Sequence, residues 1–139
     1  MASTAAVPRS RPQRDRPLVL IVEDQPDLRQ LYAQELALSG FDVIEAGNGA
    51  DAILSTSSQF PDVVLMDLSL PVVDGWEATR RLKSDERTAH IPVVALTAHD
   101  GSGELQRATS AGCDWFVPKP CPPDALITEI RRILAGQRG

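Results

Sequence analysis

A chain of 139 residues, 42% hydrophobic and 24% charged, is long enough to bury its own core, so disulfide staples or a structural metal are not needed to hold it together. No apolar run approaches the roughly 18 residues of a membrane span, the leading residues lack an apolar signal-peptide core, and Cys113 and Cys121 are too few for a disulfide framework or a zinc site, so both are expected as free, reduced thiols in a cytoplasmic protein. The net charge of −5 is uneven: Arg9, Arg11, Arg14 and Arg16 against Asp15 give residues 1–16 a sum of +3 and leave −8 on the remainder, an acidic body that argues against direct binding to nucleic acid.

Residues 1–16 read as a disordered basic leader ended by Pro17. "LVLIVED", Leu18 to Asp24, is a continuous apolar run closed by two acids, the mark of a parallel strand covered on both faces. Pro26 suits a first helical turn, and Leu28, Leu31, Tyr32, Glu35, Leu36 and Leu38 follow at helical spacing to a stop at Gly40. Phe41 to Ala46 is a second strand with some alternation, and Asn48 or Gly49 opens a helix through Ala50, Ala52, Ile53 and Leu54. Pro61 breaks the chain before a third strand, Asp62 to Asp67. A third helix carries Trp76, Ala78, Thr79 and Leu82, a fourth strand runs from His90 to Ala98, and residues 104–111 form a short helix. Cys113 to Pro120 holds a fifth strand, and the prolines at 122 and 123 lead a last helix with Leu126, Ile127, Ile130, Ile133 and Leu134 on one face. Five strands alternating with five helices predict an α/β fold with a parallel sheet covered on both faces and right-handed crossovers. Ligands in such sheets bind outside the carboxyl ends of the strands.

Polar groups gather at those ends. The first strand closes on Glu23 and Asp24, the third on Asp67, the fourth on Thr97 and the fifth on Lys119. Asp24 and Thr97 taken singly also suit helix caps, and Lys119 taken singly suits a solvated surface; the five together predict a site. Three crowded carboxylates repel unless a cation neutralises them. Magnesium, which takes oxygen ligands, fits the set, whereas no His or Cys cluster is present for zinc.

"VED", "LMDLSLPVVDG" with its Asp-x-x-x-Pro-x-x-x-Gly spacing, "ALTA" and "PKP" together resemble the receiver domain of two-component response regulators over residues 17–136, with 137–139 as a short tail. The resemblance implies a five-stranded sheet in the order 2-1-3-4-5. It implies that Asp67 accepts a phosphoryl group from a histidine kinase or a histidine phosphotransfer protein. Glu23, Asp24 and Asp67, with the main-chain carbonyl of Ser69, would hold Mg²⁺; Thr97 and Lys119 would bind the phosphoryl oxygens; and the Lys119–Pro120 bond would be cis. Phe116 falls at the aromatic switch position, coupled to Thr97. Ser69 and His99, two residues beyond Asp67 and Thr97, are placed to tune dephosphorylation. Downstream contacts are expected through residues 99–135.

About twenty residues follow Lys119 and the last helix uses them, so the expectation is a stand-alone phosphorylation switch or phosphorelay shuttle with at most autophosphatase activity. Other readings are a phosphate-independent pseudo-receiver, a flavin carrier of the same topology, and a phosphatase with an Asp nucleophile. The flavin carrier lacks a glycine-bearing phosphate loop in "EDQPD". The phosphatase would need an acid two residues after Asp67, where Ser69 stands.

Overall fold

Strands β1 (Leu18–Val22), β2 (Asp42–Ala46), β3 (Val63–Asp67), β4 (Val93–Thr97) and β5 (Trp115–Pro118) alternate with helices α1 (Pro26–Leu38), α2 (Gly49–Gln59), α3 (Gly75–Ser84), α4 (Glu104–Ala111) and α5 (Pro123–Leu134) in a computed structural model that describes residues 14–68, 70, 73–97, 104–119 and 121–136. The strands form one parallel sheet in the order β2-β1-β3-β4-β5. The three central strands are buried at every residue, as their unbroken apolar sequences require. The alternation seen in the second strand is the signature of an edge: β2 leaves Asp42 and Glu45 exposed.

Side-chain parity divides the core. Leu20, Val64, Met66, Val93 and Ala95 pack with residues of α2, α3 and α4 on one face. Val19, Ile21, Leu65, Val94 and Leu96 pack with Tyr32 and Leu36 of α1 and Leu126, Ile127 and Ile130 of α5 on the other. Each fully buried Val, Leu, Ile or Met among them contributes about 1.5–3 kcal/mol of transfer free energy.

The strands are shorter than the apolar runs suggest, for local reasons. Glu23 keeps one ladder-like bond, its N–H donating to Ala46 O at 3.1 Å, before the chain turns into α1 behind Pro26. His90 and Ile91 are spent on a turn held by Thr88, whose hydroxyl donates to Leu82 O at 2.7 Å and whose carbonyl accepts from Ile91 N at 3.0 Å. Cys113 closes α4, its N–H donating to Ala108 O, and Asp114 caps the start of β4 by accepting from Val93 N at 2.8 Å. Both cysteines are free.

Arg14 and Arg16, expected in a disordered leader, are bound to the domain. Arg14 donates to Phe60 O at 3.2 Å and lies 4.0 Å from Asp62, at the left-handed C-cap of α2. Arg16 donates to Ala37 O at 2.8 Å and Phe41 O at 3.1 Å beyond α1. Helix C-termini expose orphan carbonyls, and guanidinium groups satisfy them. The rest of the leader lies outside the described residues.

Lys83 is fixed at the opposite end of the sheet from the polar rim. Its Nζ donates to Ala89 O at 3.0 Å and Ile91 O at 2.7 Å and pairs with Asp114 at 2.6 Å, with its side chain mostly covered. Lys83→Met would take a donor from two carbonyls and the paired charge from Asp114, which keeps the Val93 N–H, so a loss of about 2–3 kcal/mol is expected in urea denaturation. An unchanged midpoint and slope would show that this ion pair does not hold the α3–β4 connection.

Candidate functional site

Asp67 ends β3 at 3% exposure, deep enough that its charge requires compensation. Lys119, directly after β5, supplies it: Nζ donates to Asp67 Oδ1 at 2.9 Å. The two residues are 52 apart in sequence, and the sheet order brings them together. β5 is locked beside β4 at this point by Lys119 N–H donating to Thr97 O at 2.7 Å.

Glu23 and Asp24 leave β1 beside Asp67. One carboxylate oxygen from each of the three acids lies within 4.8 Å of the others. Glu23 is 1% exposed, Asp24 is open to solvent, and Asp24 is not a helix cap: the N-cap of α1 is Gln25. Gln25 N–H donates to Glu23 Oε2 at 3.2 Å, while Glu23 Oε1 is buried with no hydrogen-bond partner among the described residues. Burial, and next the negative charge of Asp67, push the Glu23 carboxyl up to about 7; the Gln25 N–H and Lys119 pull in the opposite direction. A buried carboxylate oxygen without a partner, in an all-oxygen cluster of three acids, has the donor chemistry of a hard divalent cation site.

The backbone beside Asp67 is shaped by a close approach. Gly75 N–H donates to Leu68 O at 3.2 Å, and a Cβ on Gly75 would fall 2.5 Å from Asp67 O. The first turn of α3 thus lies directly on the exit of β3. Asp74 caps that turn, its Oδ1 accepting from Glu77 N at 2.8 Å.

The model of the response regulator receiver domain matches residues 19–131. The chain belongs to this family. Receiver domains are signalling domains of two-component systems. This one is 36% identical over 116 residues to the polar-differentiation response regulator DivK of Brucella ovis, covering 84% of this chain and 94% of that protein. Among solved structures, it is similar to the receiver domain of a signal transduction histidine kinase from Syntrophus aciditrophicus, at 31% identity and a TM-score of 0.81, covering 86% of this chain and 91% of that one. It is also similar to the receiver domain of a sensor histidine kinase from Pseudomonas aeruginosa PAO1 with a magnesium ion coordinated in its active-site cleft, at 31% identity and a TM-score of 0.79, covering 88% and 99% of the two chains. These neighbours bear out the expected flavodoxin-like topology.

Thr97 of this receiver domain ends β4 at 4% exposure. By strand parity, Thr97 and Phe116 face the same side of the sheet, toward α2, α3 and α4, and Phe116 sits opposite Ala95, two residues before Thr97. Phe116 is only half buried. Ser69, His99 and Pro120, with the roles assigned to them, lie outside the described residues, as do Pro71 and Ala98.

Two residues near the rim have no site role in the sequence patterns. Tyr32 of α1 donates its hydroxyl to Cys121 O at 2.9 Å and so ties α1 to the chain just past Lys119. Arg29 donates from Nη1 to Glu23 O at 2.8 Å. Both sit on α1, but the acceptors that tie them to the rim are main-chain carbonyls, which carry no side-chain signal.

Proposed function

We propose that this receiver domain accepts a phosphoryl group on Asp67 from the phosphohistidine of a kinase or a phosphotransfer protein and passes the signal by changed protein contacts or by onward transfer of the group. One observation carries the reading: a buried carboxylate held by an ammonium at 2.9 Å stands within 4.8 Å of two further acids, one of them with a buried, unpartnered oxygen. Structural salt bridges have no need of two extra carboxylates.

Glu23, Asp24 and Asp67 would hold Mg²⁺, and the Ser69 carbonyl is assigned as a further ligand. When bound, the cation supplies charge neutralisation at the transferring phosphoryl oxygens. An Asp67 carboxylate oxygen attacks phosphorus; the O–P bond forms as the N–P bond breaks, and the electron pair returns to the imidazole nitrogen. Lys119 holds the Asp67 carboxylate in place before transfer and offers its ammonium to a phosphoryl oxygen afterwards, while Thr97 offers a hydroxyl. Such transfers need mainly alignment and charge compensation from the protein. The added phosphoryl charge then favours the state in which Thr97 moves toward it and Phe116 turns inward. Ser69 and His99 set how readily water reaches the acyl phosphate. The contact surface spans residues 99–135, in a cytoplasmic domain of residues 17–136 flanked by short tails.

With a small acyl-phosphate donor and Mg²⁺, intact-mass spectrometry is expected to show a gain of one phosphoryl group, mapped to Asp67 by borohydride reduction. Asp67→Asn and chelation of the metal should each reduce the gain to background. Modification at another residue, or an undiminished gain in the variant, would overturn the reading.

A further inference from the structure

Arg29 is the one basic residue between Arg16 and Arg80, a stretch that holds eleven acids. Its guanidinium does two things at once. Nη1 donates to the Glu23 main-chain carbonyl at 2.8 Å, and Nε donates to Glu45 Oε1 at 3.1 Å on the edge strand β2. The group also lies against Gly47, where a Cβ would come within 3.4 Å of Nη1. Glu23 is therefore held at each main-chain polar atom: its N–H by Ala46 O and its C=O by Arg29. With Gln25 N–H on Oε2, the carboxylate has one oxygen tied and one left for a ligand.

We propose that Arg29 is a positioning residue for the metal site: a strut from α1, braced on Glu45 of β2, that fixes the Glu23 backbone so that its free oxygen stays in the acidic cluster. This role presupposes the Mg²⁺ site proposed above. Burial and charge separate it from a plain surface ion pair. Glu45 is 41% exposed in its side chain, and exposed pairs of this kind add little to folding. The carbonyl bond, in contrast, ends on the residue whose carboxylate keeps one buried oxygen without a hydrogen-bond partner among the described residues. Arginine suits the position because two different nitrogens of one planar group, Nη1 and Nε, serve the two acceptors, whereas a lysine has a single nitrogen to set between them. A residue touching a ligand's backbone acts on the metal as an outer-sphere partner does, where substitutions typically weaken affinity by about 10–100-fold.

The test is Mg²⁺ titration of the full chain followed by tryptophan fluorescence or calorimetry, paired with thermal denaturation in chelator. Arg29→Ala is expected to raise the Mg²⁺ Kd about tenfold and to shift the metal-free melting temperature only slightly. Arg29→Lys should recover part of the affinity. Glu45→Gln should weaken Mg²⁺ binding in the same direction by a smaller factor, and adding it to Arg29→Ala should weaken binding no further, because both ends belong to one strut. At saturating Mg²⁺, phosphorylation of Arg29→Ala from a small donor should return to within about twofold of the wild-type rate. A wild-type affinity in Arg29→Ala, or losses that multiply in the double variant, would overturn the role. If Arg29→Ala does not fold, Arg29→Lys and Glu45→Gln decide by the same reading. A wild-type chain that takes no Mg²⁺ at all would instead overturn the proposed function, and the strut's purpose with it.

Discussion

Gly75→Ala is expected to destabilise the domain by about 2–3 kcal/mol and to weaken the acidic site at the same time. Two effects compete. Alanine is a better helix former than glycine by about 1 kcal/mol, and Gly75 is the first residue of α3 with no left-handed φ, so propensity alone predicts a gain. The added Cβ, however, would sit 2.5 Å from Asp67 O and 2.6 Å from Leu68 Cα. Both are backbone atoms of the strand exit, with no flexible side-chain end to swing aside. Either α3 lifts, breaking the Gly75 N–H bond to Leu68 O, or Asp67 shifts away from Lys119. Gly40→Ala is the comparison: its φ of +102° strains a side chain, but nothing lies within 4 Å of the new Cβ, so the expected loss is about 1 kcal/mol with Mg²⁺ binding unchanged. Urea denaturation and Mg²⁺ titration of both variants separate the two causes. A Gly75→Ala protein as stable as wild type would show that α3 can retreat from β3 at little cost.

How much of this was legible beforehand follows from the range of the interactions involved. The strand interiors and α4 were readable because apolar continuity and helical period are local signals; residues 104–111 match α4 end to end. The convergence of Glu23, Asp24, Asp67 and Lys119 was readable because parallel order places all strand ends on one rim. Strand ends were less so. His90 and Ile91 look like strand, but the Thr88 carbonyl, accepting from Ile91 N–H, and the Lys83 ammonium, donating to Ile91 O, take them into a turn. Gly75 stands in the sequence only as the end of the Asp-x-x-x-Pro-x-x-x-Gly spacing, whereas its constraint is a backbone 2.5 Å away. Arg14 and Arg16 read as part of a disordered leader because their acceptors, carbonyls at the C-terminal ends of α1 and α2, belong to the folded backbone. Periodicity reports what a side chain is; it does not report which carbonyl the fold will set in front of it.

The metal-free protein should lose stability as pH rises from about 5 to 8, and Glu23 is the cause. Its carboxyl is pushed up to about 7, first by burial and then by Asp67, against an ordinary value of 4.5. The folded state therefore holds the Glu23 proton more tightly than the unfolded state does. Below pH 4.5 the group is neutral in both states and contributes no difference. Between 4.5 and 7 the unfolded state ionises while the folded state resists, and above 7 the full cost of a buried charge is present, on the order of 3 kcal/mol. Mg²⁺ should reverse the trend, because the cation takes the place of the proton and binds only the folded, ionised cluster. Glu23→Gln keeps an acceptor for Gln25 N–H and removes the charge. In chelator at pH 8 it should be more stable than wild type by about 2 kcal/mol, with a flat response to pH and little response to Mg²⁺. A buried residue whose loss stabilises the empty protein while abolishing ligand binding is retained for the ligand. Urea denaturation at pH 5.5 and 8, with and without Mg²⁺, decides the matter: a wild-type curve that is level or rises across that range without metal, or a Glu23→Gln protein weaker than wild type at pH 8, would show that Glu23 is stabilised where it stands and needs no cation.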